Sequence, residues 1–144
     1  MKDRPAVLFD AYALLAVLLD EPAAAEVLEH LERPGAAITS VNAAEVLDRL
    51  CRAGASDDEA EAELASFGAS ILHPSERAVI KAGLLRGKYY DRATCCVSLA
   101  DCIGAACALD LQVPFATADG PLAHVVRSEN GIVVALSDTS GKRP

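Results

Sequence analysis

Four carboxylates stand where chemistry is possible. Asp10 directly follows the apolar run Ala6-Val7-Leu8-Phe9, and Asp119 directly follows Phe115-Ala116-Thr117. Glu45 and Asp101 lie near the starts of two helical segments. Asp101 is the one charge in an otherwise apolar or small stretch from 99 to 109, where it shares a helix face with Gly104, Ala105 and Ala108. A helix apolar on every face is expected to be buried, and a buried ionised carboxylate is costly unless it is paired or binds a metal. Carboxylates gathered at one place repel one another and need a cation to hold them together. Oxygen ligands with retained water suit Mg2+ or Mn2+. An ion so held activates water and stabilises the charge of a phosphodiester under attack. An aspartate-nucleophile phosphatase would want D-x-D, and this chain has Asp10-Ala11-Tyr12.

Each acid also has a plain structural reading. Asp10 caps the helix that follows it. Asn42-Ala43-Ala44-Glu45 and Ser98-Leu99-Ala100-Asp101 both have capping-box spacing. Asp119-Gly120 reads as an ordinary turn. Periodicity places Glu45 on the surface, nearly opposite an apolar face made by Ala43, Val46, Leu47 and Leu50, with Arg49 as a partner.

The elements that must position these residues alternate along the chain. Strands are expected at 6–9, 36–39, 70–73, 115–117 and 132–135. Helices are expected at 11–19, 23–31 (with Pro22 in its first turn), 40–53, 58–67 (capped by Ser56 or Asp57), 74–89, 99–109 and 121–126. A polar tail runs from Ser137 onward. Strands alternating with helices imply a parallel sheet covered on both faces, an α/β/α sandwich. In such folds ligands bind beyond the carboxyl ends of the strands, the edge where Asp10, Asp101 and Asp119 fall.

Composition bounds the rest. The chain has 144 residues, 52% of them hydrophobic, no Trp and a formal net charge of -8. That suits one domain over 1–144 with an aliphatic core. The charge argues against simple non-specific binding to nucleic acid, although an acidic metal site itself contributes negative charge. Five cysteines, with no C-x-x-C pair and no His at zinc-ligand spacing, read as reduced buried thiols of a cytoplasmic protein. M-K-D-R-P leads into an apolar run that Asp10 interrupts too early for a signal peptide.

Four stretches carry a family resemblance: F-D-A-Y-A-L-L-A-V-L-L-D-E-P, S-V-N-A-A-E-V-L-D-R-L, S-L-A-D-C-I-G-A-A-C-A-L and F-A-T-A-D. In this order, and over almost the whole chain, they resemble the PIN domain, above all the ribonuclease toxins of the VapC type from toxin–antitoxin systems. The stretch Ala82-Gly83-Leu84-Leu85-Arg86 is similar to a recurring piece of these toxins. The resemblance implies a divalent-metal-dependent endoribonuclease using Mg2+ or Mn2+. Asp10, Asp101 and Asp119 would be metal ligands, Glu45 a further ligand or water-orienting group, and Thr117 a supporting polar residue. It further implies that the helix bearing Glu45 presents it sideways to the site. A homodimer and a small antitoxin of the VapB type that covers the active site are implied as well. The family carries a small polar residue two places after its first Asp, and here Tyr12 stands there. That departure favours the alternative reading, a PIN-like interaction module that binds an antitoxin or RNA without cleaving. For RNA, the expected phosphate strip is the fifth helix and its exit, Arg77, Lys81, Arg86, Lys88 and Arg92, set against Glu76 and Asp91. Tyr89 and Tyr90 either stack on bases or bury the end of that helix.

Overall fold

A computed structural model describes residues 4–144. Of the charged N-terminal lead-in M-K-D-R-P, the first three residues lie outside the described part. Five short strands form one sheet in the order β3-β2-β1-β4-β5: β1 (Val7–Phe9), β2 (Ala36–Thr39), β3 (Ser70–Leu72), β4 (Phe115–Thr117) and β5 (Val133–Ala135). Every neighbouring pair is parallel. Seven helices connect or follow them: α1 (Ala11–Leu18), α2 (Ala24–Glu32), α3 (Ser40–Arg52), α4 (Asp57–Ser66), α5 (Glu76–Tyr89), α6 (Leu99–Leu111) and α7 (Gly120–Ser128).

The two faces of the sheet are read directly from alternation along its strands. Val7 and Phe9 of β1, with Ile38 and Ala116, pack against apolar residues of α1 to α4. Leu8, Ala37 and Phe115 point the other way, into a core completed by α5, α6 and α7. Central parallel strands buried on both faces are expected to be apolar throughout, and β1 is Val-Leu-Phe with all three residues buried.

Three strands hand the chain straight into a helix. Phe9 is followed by Asp10, the N-cap of α1, whose Oδ1 accepts from the Ala13 amide at 2.9 Å. Thr39 ends β2 and caps α3. Two residues after β4, Asp119 caps α7, accepting from Leu122 at 2.9 Å. The carboxyl edge of the sheet is therefore built from helix caps.

The expected elements differ from the observed ones at several ends. Helix α2 begins after Pro22 rather than on it, because Ala24 donates to Glu21 across a turn. With Asp119 as cap and Pro121 in its first turn, α7 continues to Ser128. Helix α6 runs two residues past 109 and stops at Gln112, which adopts the left-handed conformation. The segment from Ser137 is docked rather than trailing. Asp138 accepts from the amides of Ser140 and Lys142, and Arg143 pairs with Glu26 of α2 at 2.8 Å.

Helix α6 passes close to β4 at Gly104. A Cβ there would lie 2.7 Å from Asn42 Oδ1 and 3.2 Å from the Phe115 ring. Both neighbours are fully buried. A mid-helix Gly→Ala exchange ordinarily stabilises by about 1 kcal/mol. Here Gly104→Ala should instead destabilise by about 1–3 kcal/mol through overpacking, read as a lower urea midpoint. An unchanged or higher midpoint would mean that the approach of α6 to Asn42 is looser than described.

Candidate active site

Asp10, Glu45, Asp101 and Asp119 come from four separate elements and line one cleft of about 590 Å³ at the carboxyl edge of the sheet. Asp10 is the deepest at 3% exposed, Asp101 and Glu45 are half-buried, and Asp119 is exposed. The sequence pattern marks Asp101 as the buried charge. The structure gives that place to Asp10, because the start of α6 reaches the protein's edge, where Leu99 is 52% exposed.

The capping readings hold for Asp10 and Asp101, Asp119 caps α7 where the sequence reads as an ordinary turn, and these caps do not compete with a site. Asp101 completes a capping box with Ser98, its Oδ2 accepting from the Ser98 amide at 3.3 Å. Asp119 commits Oδ1 to Leu122, and its own amide donates to the Thr117 hydroxyl at 3.1 Å. Among the described residues, the second oxygen of Asp101 and of Asp119 accepts no hydrogen bond. Each cap thus fixes a carboxylate by one oxygen and leaves the other to the cleft.

Glu45 is held differently from the capping-box and surface readings, and it lines the cleft. No box joins it to the Asn42 backbone. Asn42 lies inside the first turn of α3, capped by Thr39 through its amide at 3.1 Å. The Asn42 side chain accepts from the Thr39 hydroxyl at 3.0 Å and donates to Glu45 Oε2 at 2.8 Å. Nor is Glu45 a surface residue opposite the buried face, or a partner of Arg49. A polar Asn42 that is fully buried widens the buried face of α3 beyond its apolar residues, which periodicity of hydrophobic residues does not register.

The four charges act on one another. Burial pushes Asp10 from its ordinary 3.8 up to about 7, helped by the charges of Asp101 and Asp119 and opposed by Thr117 and the Ala13 amide. Asp101 is raised by burial and by Asp119, with Ser98 opposing. Glu45 is raised by burial, with the Asn42 bond opposing and the charges of Asp101 and Asp48 adding. Oxygen is the only donor type these four acids offer, and no His or Cys lines the cleft. Burial raises Cys102 and Cys107 to about 11, which keeps them as thiols in the core. The chemistry of the donor set therefore fits a hard divalent cation. Among the described residues no three acid, His or Cys side chains are drawn close enough to hold one ion as they stand.

Tyr12 lines the same cleft, and its hydroxyl donates to the Ser137 carbonyl at 3.5 Å. The expected basic strip lies elsewhere. Arg86, Lys88 and Arg92 do not line the cleft. Arg86 donates to the Val97 carbonyl at 3.0 Å and lies over the Tyr90 ring. Lys88 pairs with Glu129 at 3.1 Å, which also accepts from Tyr89 at 2.6 Å, and Arg77 pairs with Asp110. The cations that do line the cleft are Arg49 and Arg52. The signal for them was their spacing, four and seven residues after Glu45 on one helix face. Among the described residues, no helix is long and apolar enough to cross a membrane.

The family model described as PIN domain matches residues 7–127. No curated protein matches the chain. Among solved structures, a toxin–antitoxin complex from Klebsiella pneumoniae is similar, with a TM-score of 0.62 and 21% identity over 78% of this chain and 86% of that one. VapBC2 from Rickettsia felis, bound to a DNA fragment from its promoter, is similar with a TM-score of 0.67 and 17% identity over 88% and 96%. FitAcB from Neisseria gonorrhoeae gives a TM-score of 0.60 and 18% identity over 88% and 95%. At these identities the likeness is one of fold.

The raised acids make a pH signature. With chelator present, the native protein keeps a proton on Asp10 that the unfolded chain releases above about pH 4. Stability is then fully present below the unfolded pKa and falls as pH rises towards about 7. Asp101 and Glu45 act in the same direction. Asp91, Glu129 and Asp138 are lowered, so their contribution is lost as pH falls below their unfolded values of 3.8 and 4.5 and opposes this trend only at its acid end. Melting temperature in chelator should fall between pH 4 and 7 for wild type and stay flatter for Asp10→Asn, which keeps the cap. Parallel curves would mean that Asp10 is not charge-strained.

Proposed function

The chain belongs to the PIN domain family, and from that premise we propose that it is a divalent-metal-dependent endoribonuclease, the toxin of a toxin–antitoxin pair. The observation that carries this reading is the convergence of Asp10, Glu45, Asp101 and Asp119 on one cleft, with three of them raised in pKa by burial and by each other's charge. Residues 1–144 would form one such domain.

Asp10, Asp101 and Asp119 would hold Mg2+ or Mn2+. When bound, such an ion supplies activation of water and neutralisation of charge on an RNA phosphodiester. The chain's own part is positioning. The Ala13 amide, the Ser98 box and the Leu122 amide each anchor one oxygen of a carboxylate at the cleft, and the acids would draw closer to share an ion. Asn42, locked by Thr39, holds Glu45 at the same cleft, where it would serve as a further ligand or orient a water. Thr117 ties the Asp119 backbone and opposes protonation of Asp10. Partners follow from the same reading: a small antitoxin of the VapB type over the cleft, a second copy of the chain as homodimer, and RNA as substrate. The similar toxin–antitoxin complex from Klebsiella pneumoniae and VapBC2 from Rickettsia felis support this reading.

Tyr12 favours one other reading, a PIN domain that binds without cutting, since its ring occupies cleft wall beside Asp10. Cleavage decides between them. Purified free of any partner, the protein should cut structured RNA in Mg2+ or Mn2+ and stop in excess chelator. Asp119→Asn should lower the rate by at least about a hundredfold while keeping its helix cap. Undiminished cutting in chelator would overturn the metal mechanism. Absence of cutting, in wild type and in Tyr12→Ser alike, would favour the binding module.

A further inference from the structure

The cleft presents a problem for a polyanion. Among the described residues, seven carboxylates line it, against two cations, Arg49 and Arg52. Both arginines are on α3, on the face that carries Glu45 and Asp48, because positions 45, 48, 49 and 52 follow the helical repeat. At about 1.5 Å rise per residue, Arg49 lies about 6 Å and Arg52 about 10 Å further along the axis than Glu45. This face therefore leads outward from the acid cluster and turns positive as it goes.

The two arginines differ in their commitments. Arg52 is held by Asp48, with Nη2 at 2.9 Å and Nε at 3.0 Å from one oxygen, and both side chains are exposed. Arg49 is exposed and, among the described residues, forms no ion pair. It lies one turn from Glu45, which bonds to Asn42 instead. An arginine in so acidic a cleft, paired with none of its carboxylates, keeps its planar donor fork for an incoming group. That fork matches phosphate in two-point fashion.

We propose that Arg49 binds the RNA backbone phosphate neighbouring the scissile one, with Arg52 as a weaker outer contact, so that the strand leaves the cleft along α3. This rests on the ribonuclease reading above. It sets the substrate path on a different helix from α5, where Arg86 and Lys88 are already held by internal partners.

The test is binding of a fluorescein-labelled single-stranded RNA of mixed sequence, followed by anisotropy across a salt series in Mg2+. Asp119→Asn serves as the non-cutting parent. Adding Arg49→Ala should weaken binding about tenfold or more and reduce the log–log salt slope by about 0.7, one phosphate contact on a single strand. Arg49→Lys should keep the slope while losing part of the affinity. Arg92→Ala, at the exit of α5, should change neither. A full slope in Arg49→Ala overturns the proposal, and a slope lost in Arg92→Ala instead puts the track on α5. A slope lost equally in Arg49→Lys also overturns it, since the charge would then not be what acts. If wild type cuts RNA while Arg49→Ala binds unchanged, only this path is wrong. If the parent shows no salt-dependent RNA binding, both this path and the ribonuclease reading fall.

Discussion

Placing the carboxylate of Asp10 at the buried end of the central strand is the constraint on which the rest depends. At 3% exposure that group loses most of its hydration, and an isolated buried carboxylate shifts its pKa rather than stay charged. The Ala13 amide and the positive end of α1 offset part of this. They do not offset all of it, since Asp10 stays near 7. On the proposed reading, the same burial that favours a proton on Asp10 would favour an ion shared among Asp10, Asp101 and Asp119. Helix cap and metal ligand, which read as alternatives in sequence, would then be one arrangement in three dimensions.

Packing behind the cleft keeps that arrangement stiff. Gly104 lets α6 come close enough for Asn42 and the Phe115 ring to fill the space a side chain would need. Asn42 in turn is held between Thr39 and Glu45. Strand β2, helix α3 and helix α6 are thereby linked through one buried amide, and Glu45 is held by that amide one turn back on the same face of α3.

Much of the fold is legible in the chain. Short apolar runs ending at Asp10, Thr39 and Asp119 mark buried parallel strands, and Pro-Gly or Gly breaks separate them from helices. Three features are not legible, each for a physical reason. Glu45 reads as surface because a hydrophobic pattern omits the fully buried Asn42. The five cations on and after α5 read as a free strip because sequence does not show that Val97, Glu129 and Asp110 hold three of them. The segment after Ser137 reads as a tail because its anchors come from distant parts of the chain, Arg143 pairing with Glu26 and Arg127 donating to the Pro144 carbonyl. The acids of the site were visible as candidates one by one. That Asp10 rather than Asp101 carries the deepest burial required the tertiary structure.

The central claim is that capped carboxylates form a charge-strained cation site, and thermal melting of wild type and Asp101→Asn, each in chelator and in Mn2+, tests it most directly. Asn at this box position still accepts from the Ser98 amide, so the helix start is preserved while one charge is removed. The expected result is that metal-free Asp101→Asn melts above metal-free wild type. Mn2+ should then stabilise wild type by about 2.7 kcal/mol at a hundredfold excess over its Kd, and the variant much less. Equal responses to Mn2+, or a variant that melts lower without metal, would contradict the account and leave Asp101 a structural cap alone.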